Sequence, residues 1–124
     1  MYRRVLIVED EPTLRRLIQR NLTSRGHEVR EAGTAAEASA MLEKERPDLL
    51  LLDVNLPDRS GLDVLRDLQQ QGKSVPTIVV SAVRIPRTRL EELKPLAYLP
   101  KPFPLDALLR LVTDDPDGSR PGTA

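Results

Sequence analysis

The chain has 124 residues, of which 40% are hydrophobic and 31% charged, and its 19 basic residues balance 19 acidic ones. This length and composition are typical of one globular domain, and the balanced charge does not favour a nucleic acid or an anionic membrane as a partner. The absence of cysteine excludes disulfides and thiolate metal sites. The sequence shows neither a signal-peptide pattern nor a long apolar stretch, so a cytoplasmic protein is expected.

The chain begins with a short apolar run, residues 5–8, which predicts a first buried strand. Two acids, Glu9 and Asp10, follow the run, and Pro12 then fits the first turn of a helix. Apolar residues at helical spacing continue this helix until Gly26 ends it. Three basic residues of the helix are predicted to lie on its solvated face: Arg15, Arg16 and Arg20.

Residues 27–31 have little apolar content and predict a strand at the edge of the sheet, with His27 on the surface at its start. Thr34 and Glu37 have the spacing of a capping box, which opens a second helix that Pro47 closes. The second strand is therefore not expected to contribute a functional group.

Four consecutive leucines, residues 49–52, predict a strand buried on both faces, as in a parallel sheet covered by helices. This strand ends on Asp53, where a buried charge is costly unless partners or a metal are present. Pro57 and Gly61 then interrupt regular structure, and a third helix is predicted from Ser60 onward.

Residues 75–81 predict a fourth strand, which ends on the hydroxyl of Ser81. Pro86 and Pro95 leave room between them for a fourth helix of only about two turns. The fourth helix is therefore expected to be short or irregular.

Residues 96–99 predict a last short strand, which leads directly to Lys101. Pro104 then begins a fifth helix with apolar residues at helical spacing. Residues 1–112 are expected to form the folded domain, and residues 113–124, which are rich in Asp, Pro and Gly, to form a disordered tail.

Five strands alternating with five helices predict an α/β fold, a parallel sheet with helices on both faces and the flavodoxin-like strand order 2-1-3-4-5. In that order, polar groups after strands 1, 3, 4 and 5 meet at one edge: Glu9, Asp10, Asp53, Ser81 and Lys101. Clustered carboxylates with no His or Cys favour Mg²⁺, and a lysine provides a positive charge suited to a phosphate oxygen. Because a carboxylate is a competent nucleophile, these residue types predict phosphoryl transfer onto Asp53.

At these positions the sequence resembles the receiver domain of two-component response regulators, over roughly residues 3–112. The segments that carry the resemblance are Val8-Glu9-Asp10-Glu11-Pro12, Asp53 with Pro57 and Gly61, Ser81-Ala82, and Tyr98-Leu99-Pro100-Lys101-Pro102-Phe103. As a set these motifs are specific, and the family implies a five-stranded receiver fold.

The resemblance also implies a role for each matching residue. These roles are Asp53 as the phosphoacceptor; Glu9, Asp10, Asp53 and the backbone carbonyl of Asn55 as Mg²⁺ ligands; Ser81 and Lys101 as phosphate contacts; Tyr98 as an aromatic switch; and Pro102 after a cis peptide bond. The family implies a phosphoprotein that assists its own phosphorylation and dephosphorylation and is not an enzyme in the usual sense.

The implied partners are a sensor histidine kinase or phosphotransfer protein and a downstream effector protein or domain, with no direct contact to nucleic acid or membrane. The chain is expected to be a stand-alone receiver or the receiver piece of a longer regulator. Lys101 lies 20 positions after Ser81, fewer than the family pattern has. This shortening leaves open a homodimer through the fourth helix, the fifth strand and the fifth helix.

Two other interpretations stay open on the sequence alone. A receiver-like scaffold or binding module would signal without phosphate, which the irregular fourth helix mildly favours and the intact acid set opposes. A phosphohydrolase with an aspartyl nucleophile usually has a second acid two residues further on, where this chain has Asn55.

Overall fold

The computed structural model describes residues 4–113, which form a five-stranded sheet covered by helices on both faces. The strands are β1 (Arg4–Val8), β2 (Glu28–Ala32), β3 (Leu49–Asp53), β4 (Thr77–Ser81) and β5 (Ala97–Pro100). The helices are α1 (Pro12–Ser24), α2 (Ala35–Lys44), α3 (Gly61–Gln70), α4 (Arg87–Leu93) and α5 (Leu105–Thr113). All neighbouring strands are parallel and their order is β2-β1-β3-β4-β5, which confirms the predicted fold class.

The central strand β3 is buried on both sides, because helices cover both faces of the sheet and successive side chains of a strand point to opposite faces. Leu50 and Leu52 pack into a core with α2, α3 and α4 on one face, whereas Leu49 and Leu51 pack with α1 and α5 on the other. None of these four leucines is more than 3% exposed. The leucine run therefore forms a central strand, which ends on the buried carboxylate of Asp53.

Helix α1 ends in a Schellman motif that explains one wrong prediction. Gly26 has φ +90° and donates its N–H to the carbonyl of Thr23 at 3.0 Å, while the N–H of His27 reaches the carbonyl of Leu22 at 3.1 Å. This geometry turns the chain back over the last turn of the helix, and His27 is only 5% exposed. The expectation that His27 lies on the surface is therefore wrong.

Helix α4 is short, as predicted, with seven residues from Arg87–Leu93. It ends at Lys94, which adopts the left-handed conformation with φ 48° and ψ 55°, and Pro95 then prevents its continuation. From α3, Nε2 of Gln69 donates a hydrogen bond to the carbonyl of Leu93 at 2.8 Å. This bond satisfies one of the terminal carbonyls of the short helix and ties it to α3.

Helix α5 includes Thr113, whose hydroxyl donates to the carbonyl of Leu109 at 2.7 Å, so it continues past the expected boundary at residue 112. The predicted disorder of residues 114–124 falls outside the described residues and stays a prediction. Within residues 4–113, no helix combines the length and the apolar character needed to cross a bilayer.

Candidate functional site

Three carboxylates lie together at the carboxyl ends of two neighbouring strands. Glu9 and Asp10 directly follow β1, and Asp53 is the last residue of β3, which pairs with β1 in parallel. One carboxylate oxygen from each residue lies within 4.8 Å of the others. Glu9 and Asp53 are only 2% and 1% exposed, whereas Asp10 is exposed. The switch point of the sheet thus concentrates negative charge at one partly buried place.

Lys101 provides a cation inside this acid cluster. Its Nζ donates to Oε1 of Glu9 at 2.8 Å and to Oδ2 of Asp53 at 3.2 Å. The peptide bond between Lys101 and Pro102 is cis. Burial alone would lower the pKa of Lys101, but the hydrogen bond to Glu9 and the charges of Glu9 and Asp53 raise it above its ordinary value of 10.5. The ammonium therefore stays charged across the neutral range.

Backbone amides hold the second oxygen of each buried carboxylate. The N–H of Glu11 donates to Oε2 of Glu9 at 3.1 Å, and the N–H of Asn55 donates to Oδ1 of Asp53 at 3.1 Å. Both oxygens of each buried acid therefore have a hydrogen-bond donor, as buried polar groups require. These contacts orient Asp53 with one oxygen toward the loop after β3 and the other toward Lys101.

The ligand chemistry of the acid cluster fits a hard divalent cation. Its three groups, Glu9, Asp10 and Asp53, offer only oxygen atoms within a span of 4.8 Å, and Lys101 balances one of their three negative charges. Oxygen ligands without nitrogen or sulfur favour Mg²⁺, which proteins typically hold with one or two carboxylates plus water and phosphate oxygens. These three residues could therefore hold Mg²⁺.

Ser81 and Tyr98 meet at a backbone carbonyl next to the acid cluster. Oγ of Ser81 donates to the carbonyl of Val83 at 2.7 Å and accepts from the N–H of Val83 at 3.0 Å, while Oδ1 of Asn55 lies 3.4 Å away. The hydroxyl of Tyr98 donates to the same carbonyl at 3.4 Å. The structure thus joins Ser81 and Tyr98 through Val83, and the Ser81 hydroxyl engages its own loop.

Arg15 lies closer to the site than the sequence indicates. Its Nη1 donates to the carbonyl of Glu9 at 2.8 Å and its Nε donates to Glu31 at 3.1 Å. The Arg15 side chain is 20% exposed, against 62% for Arg16, so the prediction of a solvated face fails for Arg15. Three arginines on one helix carry no local signal that distinguishes the one that reaches the carbonyl of Glu9.

The loop between β3 and α3, residues 54–60, contains a second contact that sequence reasoning missed. Asp58 accepts hydrogen bonds from the N–H groups of Ala35 and Ala36, both at 2.9 Å. Because these partners lie more than twenty positions away in the chain, no local pattern could indicate the contact. Gly61, at the end of the loop, packs against the carbonyl of Asp53 so closely that a β-carbon would overlap it.

Residues 5–113 match the family model for the response regulator receiver domain. The response regulator MprA of Mycobacterium avium (strain 104) is 39% identical over 108 residues, which cover 86% of this chain and 47% of that protein. MprA of Mycobacterium tuberculosis (strain ATCC 25177 / H37Ra) shows the same identity and coverage. The chain thus spans about half the length of the curated relatives that it matches, 47% in each case.

Solved receiver structures share the fold. The response regulator TrrA of Thermotoga maritima, in complex with Mg(2+)-BeF, is 31% identical, with a TM-score of 0.78 and coverage of 89% of this chain and 96% of that one. A CheY-like receiver domain protein of Methanospirillum hungatei JF-1 is 28% identical, with a TM-score of 0.82 and coverage of 90% and 91%. The chain therefore belongs to the family of response regulator receiver domains, which act in two-component signalling as phosphoacceptors and not as classical enzymes.

Proposed function

We propose that Asp53 accepts a phosphoryl group from a phosphohistidine on a sensor histidine kinase or phosphotransfer protein. Mg²⁺ would be held by Glu9, Asp10, Asp53 and the backbone carbonyl of Asn55. The observation that carries this proposal is the partly buried acid cluster, with the Nζ of Lys101 3.2 Å from Oδ2 of Asp53. The Mg(2+)-BeF complex of TrrA, a relative of 31% identity, supports the choice of Mg²⁺.

The proposed transfer forms one bond at Asp53 and breaks one in the donor. A carboxylate oxygen of Asp53 bonds to phosphorus, the phosphorus–nitrogen bond of the phosphohistidine breaks, and the released imidazole takes up a proton. Bound Mg²⁺ would supply charge neutralisation for the phosphoryl oxygens. Lys101 already lies beside Oδ2 of Asp53 and offers its ammonium to a phosphoryl oxygen. Water then hydrolyses the acyl phosphate, which releases inorganic phosphate and restores the carboxylate of Asp53.

Ser81 and Tyr98 are the proposed route from Asp53 to the surface. To bond a phosphoryl oxygen, the hydroxyl of Ser81 must leave the carbonyl of Val83, which it holds at 2.7 Å. That same carbonyl is the partner of the Tyr98 hydroxyl, so the movement of Ser81 alters the contact that holds Tyr98. One new charge at Asp53 would thereby bias two arrangements of the β4–α4 loop.

The proposed output is altered binding to a downstream effector protein or domain. A homodimer through α4, β5 and α5 is also proposed, although the seven residues of α4 make that face smaller than a longer helix would. For this domain itself we propose a cytoplasmic location and no direct contact with nucleic acid or membrane. The intact acid cluster does not favour the phosphate-independent scaffold.

Treatment with a small-molecule phosphodonor tests the proposal without a cognate kinase. Intact-mass spectrometry should show one added phosphoryl group on the wild type with Mg²⁺, none with a chelator and none on Asp53→Asn. Asp106→Asn is the matched control, because Asp106 is an exposed acid in the first turn of α5 and should be labelled like the wild type. No labelling of the wild type, or equal labelling of Asp53→Asn, would contradict the proposal.

A further inference from the structure

The backbone N–H groups at the amino terminus of α2 donate hydrogen bonds to two different parts of the chain. Thr34 provides a local cap, because its Oγ1 accepts from the N–H of Glu37 at 3.0 Å. Asp58 provides a distant cap, because Oδ1 accepts from the N–H of Ala35 and Oδ2 from the N–H of Ala36, both at 2.9 Å. These two bonds, led by the one from Ala35, lower the pKa of Asp58 below its ordinary value of 3.8. A helix amino terminus also favours a negative charge, so Asp58 is well matched to this position.

Asp58 lies in the outer part of the loop that carries Asn55. The inner part of the loop is closed by a bridge between Asn55 and Ser60 and by the N–H of Gly61, which donates to the carbonyl of Val54 at 2.9 Å. Beyond that bridge, two side chains make polar contacts with helices: Arg59 pairs with Asp67 of α3, and Asp58 accepts hydrogen bonds from α2. Asp58 thus joins the loop to an element that is not its neighbour in the chain.

We infer that Asp58 is a positioning residue, which holds the β3–α3 loop against α2 and thereby places the backbone carbonyl of Asn55 for Mg²⁺. This inference rests on the proposed function, in which that carbonyl is a Mg²⁺ ligand. Asn55 is exposed, so the core does not restrain it as it restrains Glu9 and Asp53. The bidentate contact of Asp58 supplies restraint from the far side of the loop. Groups that orient metal ligands commonly change metal affinity when they are removed.

The chain offers a matched control that separates loop positioning from helix capping. Asp58→Ala and Thr34→Ala each remove acceptors from the same end of α2, but only Asp58 belongs to the loop. Asp58→Asn keeps one acceptor oxygen and serves as the conservative variant. Both alanine variants should lower the melting temperature by a few degrees, roughly 3 °C. A difference between them in Mg²⁺ binding is therefore independent of the capping of α2.

Three measurements test the inference, and the first two do not involve labelling. Without metal, hydrogen exchange of the amides of residues 54–60 should be faster in Asp58→Ala and unchanged in Thr34→Ala. The Mg²⁺ dissociation constant, obtained from the rise in melting temperature with Mg²⁺, should be about tenfold higher in Asp58→Ala, with Asp58→Asn between it and the wild type. Labelling by a small-molecule phosphodonor should need more Mg²⁺ in Asp58→Ala but reach the wild-type rate at saturation.

Each result supports or overturns the inference. Equal weakening of Mg²⁺ binding in Thr34→Ala and Asp58→Ala would mean that Asp58 acts only as a helix cap. Unchanged Mg²⁺ binding in Asp58→Ala, in a wild type that is labelled normally, would overturn the positioning role and leave the proposed function intact. A wild type that neither binds Mg²⁺ nor becomes labelled would overturn both.

Discussion

Replacing Lys101 by Met should destabilise the metal-free protein by about 3 kcal/mol. The ammonium lies 2.8 Å from Glu9 and 3.2 Å from Asp53, which are 2% and 1% exposed, and both acids lose this cation when Lys101 is replaced. Removing one member of a buried ion pair typically costs about 3–5 kcal/mol, and we take the low end because the Lys101 side chain is 20% exposed. Methionine keeps most of the apolar stem of lysine, so lost packing contributes little.

Urea unfolding followed by far-UV circular dichroism measures this change, since the chain has no tryptophan. Lys73→Met, at an exposed lysine just after α3, is the matched control and should change the free energy of unfolding by less than about 0.5 kcal/mol. Mg²⁺ at a hundred times its dissociation constant should stabilise Lys101→Met by about 2.7 kcal/mol, because the ion binds the folded state and not the unfolded chain. If Lys101→Met and Lys73→Met have the same free energy of unfolding in a chelating buffer, Lys101 is not the counterion of the acid cluster.

Three further predictions concern charge and backbone geometry. Asp10→Asn should raise the free energy of unfolding by about 1 kcal/mol in a chelating buffer, because it removes repulsion between carboxylates within 4.8 Å of each other. The same substitution should abolish stabilisation by Mg²⁺. A lower free energy of unfolding in the chelating buffer would contradict the prediction. Lys94→Gly should raise the free energy of unfolding, measured in urea, by about 1 kcal/mol, because φ 48° is unfavourable for a residue with a β-carbon. An unchanged or lower free energy of unfolding would argue against strain at Lys94. The pKa of Asp58 lies below 3.8 in the folded state, so its contribution to stability is present above pH 3.8 and is lost as the pH falls through the lowered pKa. The stability difference between wild type and Asp58→Asn should therefore shrink on acidification, and a difference that does not change with pH would exclude the linkage.

The position of the acid cluster was predictable because hydrophobic pattern and topology act together. The leucine run ends at Asp53, the first strand ends before Glu9, and strand order 2-1-3-4-5 places these ends side by side. Once the strands pair in that order, the acids at the carboxyl ends of β1 and β3 necessarily lie close together. The shortness of α4 was predictable for a similar local reason, since Pro86 and Pro95 bound it in the sequence.

Contacts that depend on the packing of distant segments were not predictable. Asp58 lies 23 positions from Ala35, and the contact exists only because α2 and α3 lie side by side on one face of the sheet. The burial of His27 depends on the cap at the end of α1, and neighbouring arginines gave no sign that Arg15 would reach the carbonyl of Glu9. The end of the fourth strand predicted that Ser81 lies near the site, and the family resemblance implied the same for Tyr98. Neither indicated their shared partner, the carbonyl of Val83.

Chemical trapping of the acyl phosphate tests most directly whether Asp53 is the phosphoacceptor. Borohydride reduces an acyl phosphate to an alcohol, so a phosphorylated aspartate becomes homoserine and can be located by peptide mass spectrometry. After treatment with a small-molecule phosphodonor and Mg²⁺, the account predicts homoserine at position 53 alone and none when Mg²⁺ is chelated. Homoserine at Asp10 or at another acid, or its absence from Asp53 under these conditions, would contradict the account.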